Sequence, residues 1–205
     1  ERNDLDALFF PQAAAPNREL VADPERPEYA PNNWPEIPSN IVNALGVPVV
    51  HRADHLAELV ASHRTLAVTG TSGKSTVAAM VFEILAASGR SPSLITGGAL
   101  RRLEDDGLLG NAARGDSEIL VVEADESDGS VARYKPEIGA LLNIGKDHQE
   151  VPVLLEMFRT FRSLSRRFVV NGDPPDFAEF REGSRTFGFA QGCAVRAAEL
   201  DISPG

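Results

Sequence analysis

One segment in the first half of the chain restricts the possible fold more than any other. A compact apolar run, Leu66–Thr69, leads directly into a loop that contains Gly70 and Gly73. The loop runs to Lys74, and the residues after it, as far as about Ala87, carry apolar side chains at helical spacing. The run predicts a buried strand, and the spacing predicts an amphipathic helix. A strand, a tight loop and a helix form the first part of a βαβ unit, which indicates a parallel sheet.

The same alternation of strands and helices continues along the chain. Nearly unbroken apolar runs, typical of strands buried on both faces, predict strands at Leu94–Thr96, Ile119–Glu123 and Ile138–Asn143. Two further strands are expected at Phe168–Asn171 and Thr186–Phe189. Helices are predicted at His55–Ser62, with Asp54 as N-cap, and from Val153 to about Ser165. The predicted fold class is therefore α/β, an open and mostly parallel sheet with flanking helices.

Composition and charge exclude several functional classes. Thirty acidic against twenty basic residues give a net charge of -10, which disfavours a general nucleic-acid-binding protein. The single cysteine, Cys193, cannot form an internal disulfide. No apolar run approaches the roughly 18 residues that a membrane-spanning helix needs. We expect a cytoplasmic protein with small-molecule substrates and no membrane or nucleic-acid partner.

The glycine-containing loop has the residue types that bind phosphate. Its members are Gly70, Thr71, Ser72, Gly73, Lys74, Ser75 and Thr76. Glycines allow close backbone approach to an anion, and the N–H groups at the start of the following helix point at it. Lys74 is placed to bridge the β- and γ-phosphates, and the Ser75 hydroxyl to ligate Mg²⁺. The loop is a shortened form, because Val68 stands where the longer phosphate-loop pattern has glycine.

Polar residues follow two other predicted strands. The acidic stretch from Glu123 to Asp128 begins at the end of one strand, and carboxylates crowded in this way need a cation to compensate their charge. Glu123 is best placed to hold Mg²⁺ together with Ser75. Asn143 and His148 follow the next strand. Because ligands bind at the carboxyl ends of strands in open α/β sheets, we expect these groups at one edge, with His148 as a possible ligand of a second Mg²⁺.

These three signals, in this order, resemble the Mur ligase family, ATP-dependent enzymes that add amino acids to the peptidoglycan precursor. The resemblance rests on the loop Thr69–Thr76, on Glu123, and on the pattern Asn143–His148. The run EADESD that begins at Glu123 is most similar to the family's muramate branch, or to its relatives that recycle murein tripeptide. Ser72 and the two pairs Gly145-Lys146 and Gln149-Glu150 depart from that branch's usual pattern, which leaves the substrate subtype open.

The resemblance implies a reaction and a set of site residues. The reaction is the ATP- and Mg²⁺-dependent formation of an amide bond between a UDP-N-acetylmuramate-type carboxylate and an amino acid or peptide, through an acyl phosphate. The implied catalytic residues are Lys74, Glu123, Asn143 and His148. The implied metal ligands are Ser75, Glu123 and His148. The residues implied to lie at the substrate are Gly97, Gly98, Asp125 and Ser127.

The resemblance also implies a domain organisation. Residues 1–60 would be the tail of an N-terminal UDP-sugar-binding domain with its linker. Residues 61–205 would be an incomplete central ATP-binding domain, similar to phosphate-loop nucleotide-hydrolysing domains, and the C-terminal amino-acid domain of the family would be absent. A fragment of this kind is not expected to be fully active alone.

Two other functions stay open on sequence. One is a related amide ligase, similar to folylpolyglutamate synthetase or cyanophycin synthetase. The other is a non-catalytic nucleotide-binding module that regulates or scaffolds a partner. The joint presence of Lys74, Glu123 and His148 favours an enzyme over such a module.

Overall fold

The structure, a computed structural model, describes residues 52–127, 129–145 and 150–198. These residues all belong to one compact unit, residues 51–205. Residues 1–51, which include most of the proposed N-terminal domain tail, lie outside the described residues, as does His148. Within the described part of the chain, no helix is long and apolar enough to cross a membrane.

The strands and helices alternate as the sequence predicts. The strands are β1 (Arg64–Thr69), β2 (Ser93–Ile95), β3 (Ala112–Ala113), β4 (Ile119–Glu123), β5 (Ile138–Leu141), β6 (Arg167–Asn171), β7 (Arg185–Gly188) and β8 (Val195–Arg196). The helices are α1 (Arg52–Ser62), α2 (Lys74–Ala87), α3 (Arg101–Asp105), α4 (Val151–Leu164) and α5 (Ala178–Arg181). Short 3₁₀ turns lie at Ser130–Arg133 and Pro175–Phe177.

All eight strands form one sheet, which confirms the predicted fold class. The strand order is β3-β2-β4-β1-β5-β6-β7-β8. Every neighbouring pair is parallel except β2 and β3. β1 lies between β4 and β5, with Val68 opposite Glu123 and Thr69 opposite Leu141. The carboxyl ends of these three central strands are therefore level, and the segments that follow them leave the sheet at one edge.

Helices cover both faces of the central strands. On one face, Val68 of β1 and Val121 of β4 pack in a buried cluster with Phe82 of α2. Thr65, an odd number of residues from Val68, faces the other way, and its hydroxyl donates to the Val60 carbonyl of α1 at 2.8 Å. Burial on both faces explains why these strands have almost continuous apolar sequences.

Some predicted boundaries differ from the structure. α1 begins at Arg52, so Asp54 lies in its first turn and is not its N-cap; the Asp54 carboxylate pairs with Arg133. β5 ends at Leu141, two residues before the predicted end, because the chain beyond Leu142 pairs with the loop that follows β1 and no longer with β1 itself. The Leu142 N–H donates to the Thr69 carbonyl at 3.0 Å, and the Thr71 N–H donates to the Asn143 carbonyl at 3.3 Å.

Candidate functional site

The candidate site lies where β4, β1 and β5 end. The phosphate-loop segment, residues 70–76, follows β1. The acidic segment starts with Glu123, the last residue of β4, and the segment that carries Asn143 follows β5. The connection that leaves β1 runs to β2 on one side of the sheet, whereas the connection that leaves the neighbouring β5 runs to β6 on the other side. Such a reversal of strand order opens a crevice at the carboxyl edge, where open α/β sheets bind ligands.

Two glycines give the phosphate-loop segment its path. Gly70 has φ 140°, and a Cβ there would lie 3.0 Å from the Asn143 backbone nitrogen, so both conformation and space require glycine. Gly73 is left-handed, with φ 80°, and immediately precedes α2. Its carbonyl accepts the first helical hydrogen bond from the Val77 N–H at 2.9 Å. The earlier N–H groups at the start of α2 have no partner within the helix and can bind an anion.

Asn143 holds the phosphate-loop segment from the neighbouring strand. Its Oδ1 accepts from the Thr71 hydroxyl and from the Ser72 N–H, both at 2.9 Å. Its Nδ2 donates to the Ser72 carbonyl at 2.9 Å. An amide side chain can satisfy a backbone donor and acceptor simultaneously, which a carboxylate cannot do. The described contacts of Asn143 are thus with the loop that is expected to hold phosphate.

Glu123 and Ser75 form the oxygen pair that the sequence predicts. The Ser75 hydroxyl donates to Glu123 Oε1 at 3.0 Å. The other carboxylate oxygen, Oε2, accepts from the Thr96 hydroxyl and from the Gly97 N–H, both at 2.7 Å. Thr96 is buried, with 6% of its surface exposed. Because Oε2 is held on the β2 side, Oε1 is directed toward Ser75 and the start of α2.

The Lys74 ammonium faces the acidic segment. Its Nζ donates to Glu126 Oε1 at 3.1 Å and lies 2.9 Å from Oε2. Asp125 Oδ1 is 3.8 Å away. The side chains of Lys74 and Glu126 are 13% and 5% exposed, whereas that of Asp125 is 53% exposed. Glu126 was not among the predicted site residues, since four neighbouring acidic residues in the sequence do not reveal which one turns inward to Lys74.

The remaining predicted residues have different surroundings. Gly98 packs against Ser75, where an added Cβ would lie 3.2 Å from the serine Cβ. The Ser127 N–H donates to Asp125 Oδ1 at 3.1 Å within the acidic segment. Thr76 is exposed on α2. His148 lies outside the described residues, so its distance from Lys74 and Glu123 remains a prediction.

The residues present fit a magnesium ion bound together with a nucleotide. Among the described residues, no group of three or more His, Cys, Asp or Glu side chains could hold a metal. Mg²⁺ commonly takes only one or two protein oxygens and completes its shell with substrate phosphates and water. The Ser75 hydroxyl and Glu123 Oε1 supply such a pair of oxygens at the start of α2.

A separate apolar cleft lies against the outer face of α2. It has a volume of about 430 Å³ and is lined by Thr76, Ala79, Met80, Glu83, Ile84, Leu100, Arg101 and Arg102. None of the residues around the Lys74 ammonium or the Glu123 carboxylate lines it. Arg102 is held there by Glu83, and this hydrogen bond raises the pKa of the guanidinium. The cleft therefore has little in common with the polar edge of the sheet.

Comparison with known proteins agrees with this geometry. Residues 68–192 match the Mur ligase middle domain. UDP-N-acetylmuramate–L-alanine ligase from Cyanothece sp. is 37% identical over 182 residues, which are 83% of this chain and 36% of that protein. The enzyme of the same name from Nostoc punctiforme is 42% identical over 121 residues, 57% of this chain and 24% of that protein.

A solved structure extends the likeness to three dimensions. UDP-N-acetylmuramate-alanine ligase MurC from Thermotoga maritima has a TM-score of 0.61 and 25% identity, covering 73% of this chain and 35% of that one. The chain spans between about a quarter and a third of the length of these relatives. The middle-domain match nevertheless covers more than half of the chain and includes the loop, the acidic segment and the Asn143 segment. The chain belongs to the Mur ligase family.

Proposed function

We propose that this chain supplies the ATP-binding part of a ligase that joins a UDP-N-acetylmuramate-type carboxylate to an amino acid or peptide. The observation that carries the proposal is the meeting of Lys74, Ser75 and Glu123 at one sheet edge with a loop built for an anion. The names of the similar proteins make L-alanine the first amino acid to test. A peptide acceptor, as in murein recycling, is the alternative within the family.

The proposed reaction requires activation of a carboxylate. A carboxylate oxygen attacks the γ-phosphorus of ATP, and the bond from that phosphorus to the ADP oxygen breaks. The incoming amine then attacks the acyl carbon, and inorganic phosphate leaves with the former carboxylate oxygen. Such chemistry demands positioning and charge neutralisation more than covalent participation by the protein.

Each residue of the edge has a proposed task in this reaction. Lys74 and the N–H groups at the start of α2 would hold the phosphates. Asn143 would keep the loop in the shape that presents those groups. Ser75 and Glu123 would hold Mg²⁺, which when bound neutralises phosphate charge.

The substrate side of the site rests on the family resemblance. His148 would help to hold a second Mg²⁺, and Gly97, Gly98, Asp125 and Ser127 would lie at the carboxylate substrate. Residues 61–205 would form the central ATP-binding domain and residues 1–60 the tail of a UDP-sugar-binding domain. Action in the cytoplasm on small molecules, with no membrane or nucleic-acid partner, is part of the same proposal.

The test is ADP release by the full-length protein given ATP, Mg²⁺, UDP-N-acetylmuramate and L-alanine. We expect release that depends on both the muramate and the amino acid. Lys74→Ala should abolish it while circular dichroism stays unchanged, and Lys135→Ala, at an exposed lysine, should leave it intact. Undiminished turnover in Lys74→Ala would contradict the role of the loop. Release that requires a folate or an aspartate polymer in place of the muramate would identify a different amide ligase.

The assignment of His148 needs its own variant. His148→Ala should lose ligation and retain most of the affinity for nucleotide, because its proposed ligand is the second metal and not the phosphate loop. Equal ligation rates in the variant and the wild type would remove His148 from the site.

A further inference from the structure

The phosphate-loop lysine is already occupied in this structure. Three carboxylate oxygens lie within 4 Å of the Lys74 ammonium, two from Glu126 and one from Asp125. An ammonium group has three N–H donors. One of these donors bonds Glu126 Oε1 at 3.1 Å, so a phosphate that approaches Lys74 either shares the ammonium with this buried carboxylate or draws it away.

Of the two acidic residues, Glu126 is the one that matters for this competition. Both of its carboxylate oxygens contact Nζ, at 2.9 and 3.1 Å, and its side chain is 5% exposed. Asp125 reaches Nζ only at 3.8 Å, and half of its side chain is in solvent. Burial strengthens an ion pair and makes either partner costly to leave uncompensated.

Backbone hydrogen bonds hold the turn that carries Glu126. The Glu126 carbonyl accepts from the Gly129 N–H at 3.2 Å, and the preceding carbonyl, of Asp125, accepts from the Ser130 hydroxyl at 3.4 Å. These bonds fix the turn that carries Glu126 onto the 3₁₀ turn that follows it. The four-carbon stem of Lys74, by contrast, can rotate. We expect the lysine head to move more than the carboxylate when the two separate, because its stem is the longer one.

We propose that Glu126 is a positioning residue that acts through Lys74. In the nucleotide-free protein it holds the ammonium at the acidic segment, and a bound polyphosphate takes the ammonium from it. The inference rests on the proposed nucleotide site. Glu126 thereby keeps the ammonium of the loop lysine in one position at the edge of the sheet. It also lowers nucleotide affinity, because the contact between Lys74 and Glu126 must be given up when the phosphate binds.

The first test needs no nucleotide. Lys74 and Lys135 are acylated with acetic anhydride, and the rate at Lys74 is measured by mass spectrometry relative to exposed Lys135. Glu126→Gln keeps the shape of the side chain and removes its charge. We expect it to raise the relative rate at Lys74 about fivefold, since hydrogen bonds to charged groups are the stronger ones. Asp105→Asn, which removes an exposed charge from α3, should change it by less than about twofold. An unchanged rate in Glu126→Gln would overturn the proposal.

The second test measures ADP binding by calorimetry in magnesium chloride. Glu126→Gln should tighten ADP binding about fivefold, because the phosphates no longer compete with a carboxylate. The ADP affinity of Asp105→Asn should stay near that of the wild type. Equal or weaker ADP binding in Glu126→Gln than in the wild type would overturn the proposal. If the wild type itself fails to bind ADP, the proposed nucleotide site is wrong, and the acylation result still decides whether Glu126 holds Lys74.

A third measurement requires no variant and covers the case in which Glu126→Gln does not fold. In a crystal structure of the wild-type chain with ADP and Mg²⁺, Lys74 Nζ should lie more than 4 Å from both Glu126 carboxylate oxygens and contact a phosphate. An ammonium that keeps both present contacts to Glu126 in that complex would contradict the exchange.

Discussion

Two clusters in this protein each pair a basic side chain with a glutamate carboxylate, but one cluster is buried and the other is exposed to solvent. At the sheet edge, Lys74 and Glu126 are 13% and 5% exposed. On the surface between α4 and α5, Arg159 binds both oxygens of Glu179 at 2.7 and 2.9 Å, with side chains 47% and 42% exposed. Glu156 also contacts Arg159, at 3.1 Å.

The difference between the clusters indicates what each is for. Water can replace either partner of the exposed cluster, so its contribution to folding is small even with good geometry. The buried pair gains little stability over an apolar packing, and it becomes a liability when one partner is removed. The pair of Lys74 and Glu126 therefore adds little to the stability of the fold. Because it lies at the edge where Ser75, Glu123 and the loop meet, ligand binding explains it better than folding does.

The largest loss of stability and of ADP binding is expected from Gly70→Ala, because Gly70 lies in the phosphate-loop segment at the candidate site. The new Cβ would lie 3.0 Å from the Asn143 nitrogen in a backbone conformation closed to alanine. Strain and overpacking together should lower the free energy of unfolding by about 3 kcal/mol and remove ADP binding. Gly89→Ala is the matched control, because Gly89 has φ 75° with open space around it. Urea unfolding should show a loss of only about 1 kcal/mol there, without loss of ADP binding. Equal losses of stability and of ADP binding in Gly70→Ala and Gly89→Ala would show that the backbone at Gly70 is no more constrained than that at Gly89.

Asn143→Ala should have the next largest effect. It removes three side-chain hydrogen bonds to the phosphate-loop segment, and at about 1 kcal/mol each the expected loss is about 2–3 kcal/mol in urea unfolding. ADP affinity should fall by about tenfold or more, because the loop loses its support. Asn171→Ala at the end of β6 is the control, since its side chain accepts one hydrogen bond, from the Asp173 N–H. An Asn143→Ala variant that binds ADP like the wild type would separate this residue from the site.

Thr96→Val tests the orientation of Glu123 with a smaller change. The substitution keeps shape and removes the hydroxyl that donates to Oε2 at 2.7 Å. We expect Mn²⁺ affinity, measured by electron paramagnetic resonance in the presence of ADP, to fall about tenfold and to recover in Thr96→Ser. Thr65→Val makes the same chemical change at a buried hydroxyl that binds the Val60 carbonyl. It should lower stability and leave Mn²⁺ binding unchanged. Equal Mn²⁺ affinity in Thr96→Val and the wild type would exclude this role.

The smallest effect belongs to the exposed cluster and depends on pH. The hydrogen bond from Arg159 lowers the pKa of Glu179. The folded state therefore favours the ionised form, and the stability it adds is fully present above the unfolded pKa of about 4.3. It is lost as the pH falls through the lowered folded pKa. Glu179→Gln should be slightly less stable than the wild type at pH 7, and the two unfolding curves should converge near pH 3. A difference that persists unchanged to low pH would show that the ion pair is not its source.

Much of the fold could be predicted because local pattern and tertiary burial agree in it. β4 has the predicted bounds, and α2 ends at Ala87 as predicted, although it begins at Lys74, which the sequence pattern assigns to the loop. The short elements α3, β3 and β8 were not predicted, since two to five residues carry too little periodicity and their form depends on neighbours in the sheet. The early end of β5 has a different cause, since the Asn143 carbonyl beyond it accepts from the Thr71 N–H of the loop and not from β1.

The site could be predicted in part for a related reason. Residues at strand ends are brought together by topology, so Lys74, Ser75, Glu123 and Asn143 could be placed at one edge from their order in the chain. The hydrogen-bonding and ion-pair partners of those residues could not be predicted from the sequence. Thr96 binds Glu123 and Glu126 binds Lys74 because of side-chain directions set by the three-dimensional path of the chain. No spacing in the sequence distinguishes Glu126 from the exposed Asp125 beside it.

We propose that one edge of this sheet binds a magnesium nucleotide through Lys74, Ser75 and Glu123. The most direct measurement is an anomalous difference map from crystals of the chain grown with ADP and Mn²⁺. We predict a manganese peak about 2.1 Å from both the Ser75 hydroxyl and Glu123 Oε1, with ADP phosphate oxygens on the N–H groups of the loop. Nucleotide bound elsewhere on the chain, or manganese remote from both oxygens, would contradict the account.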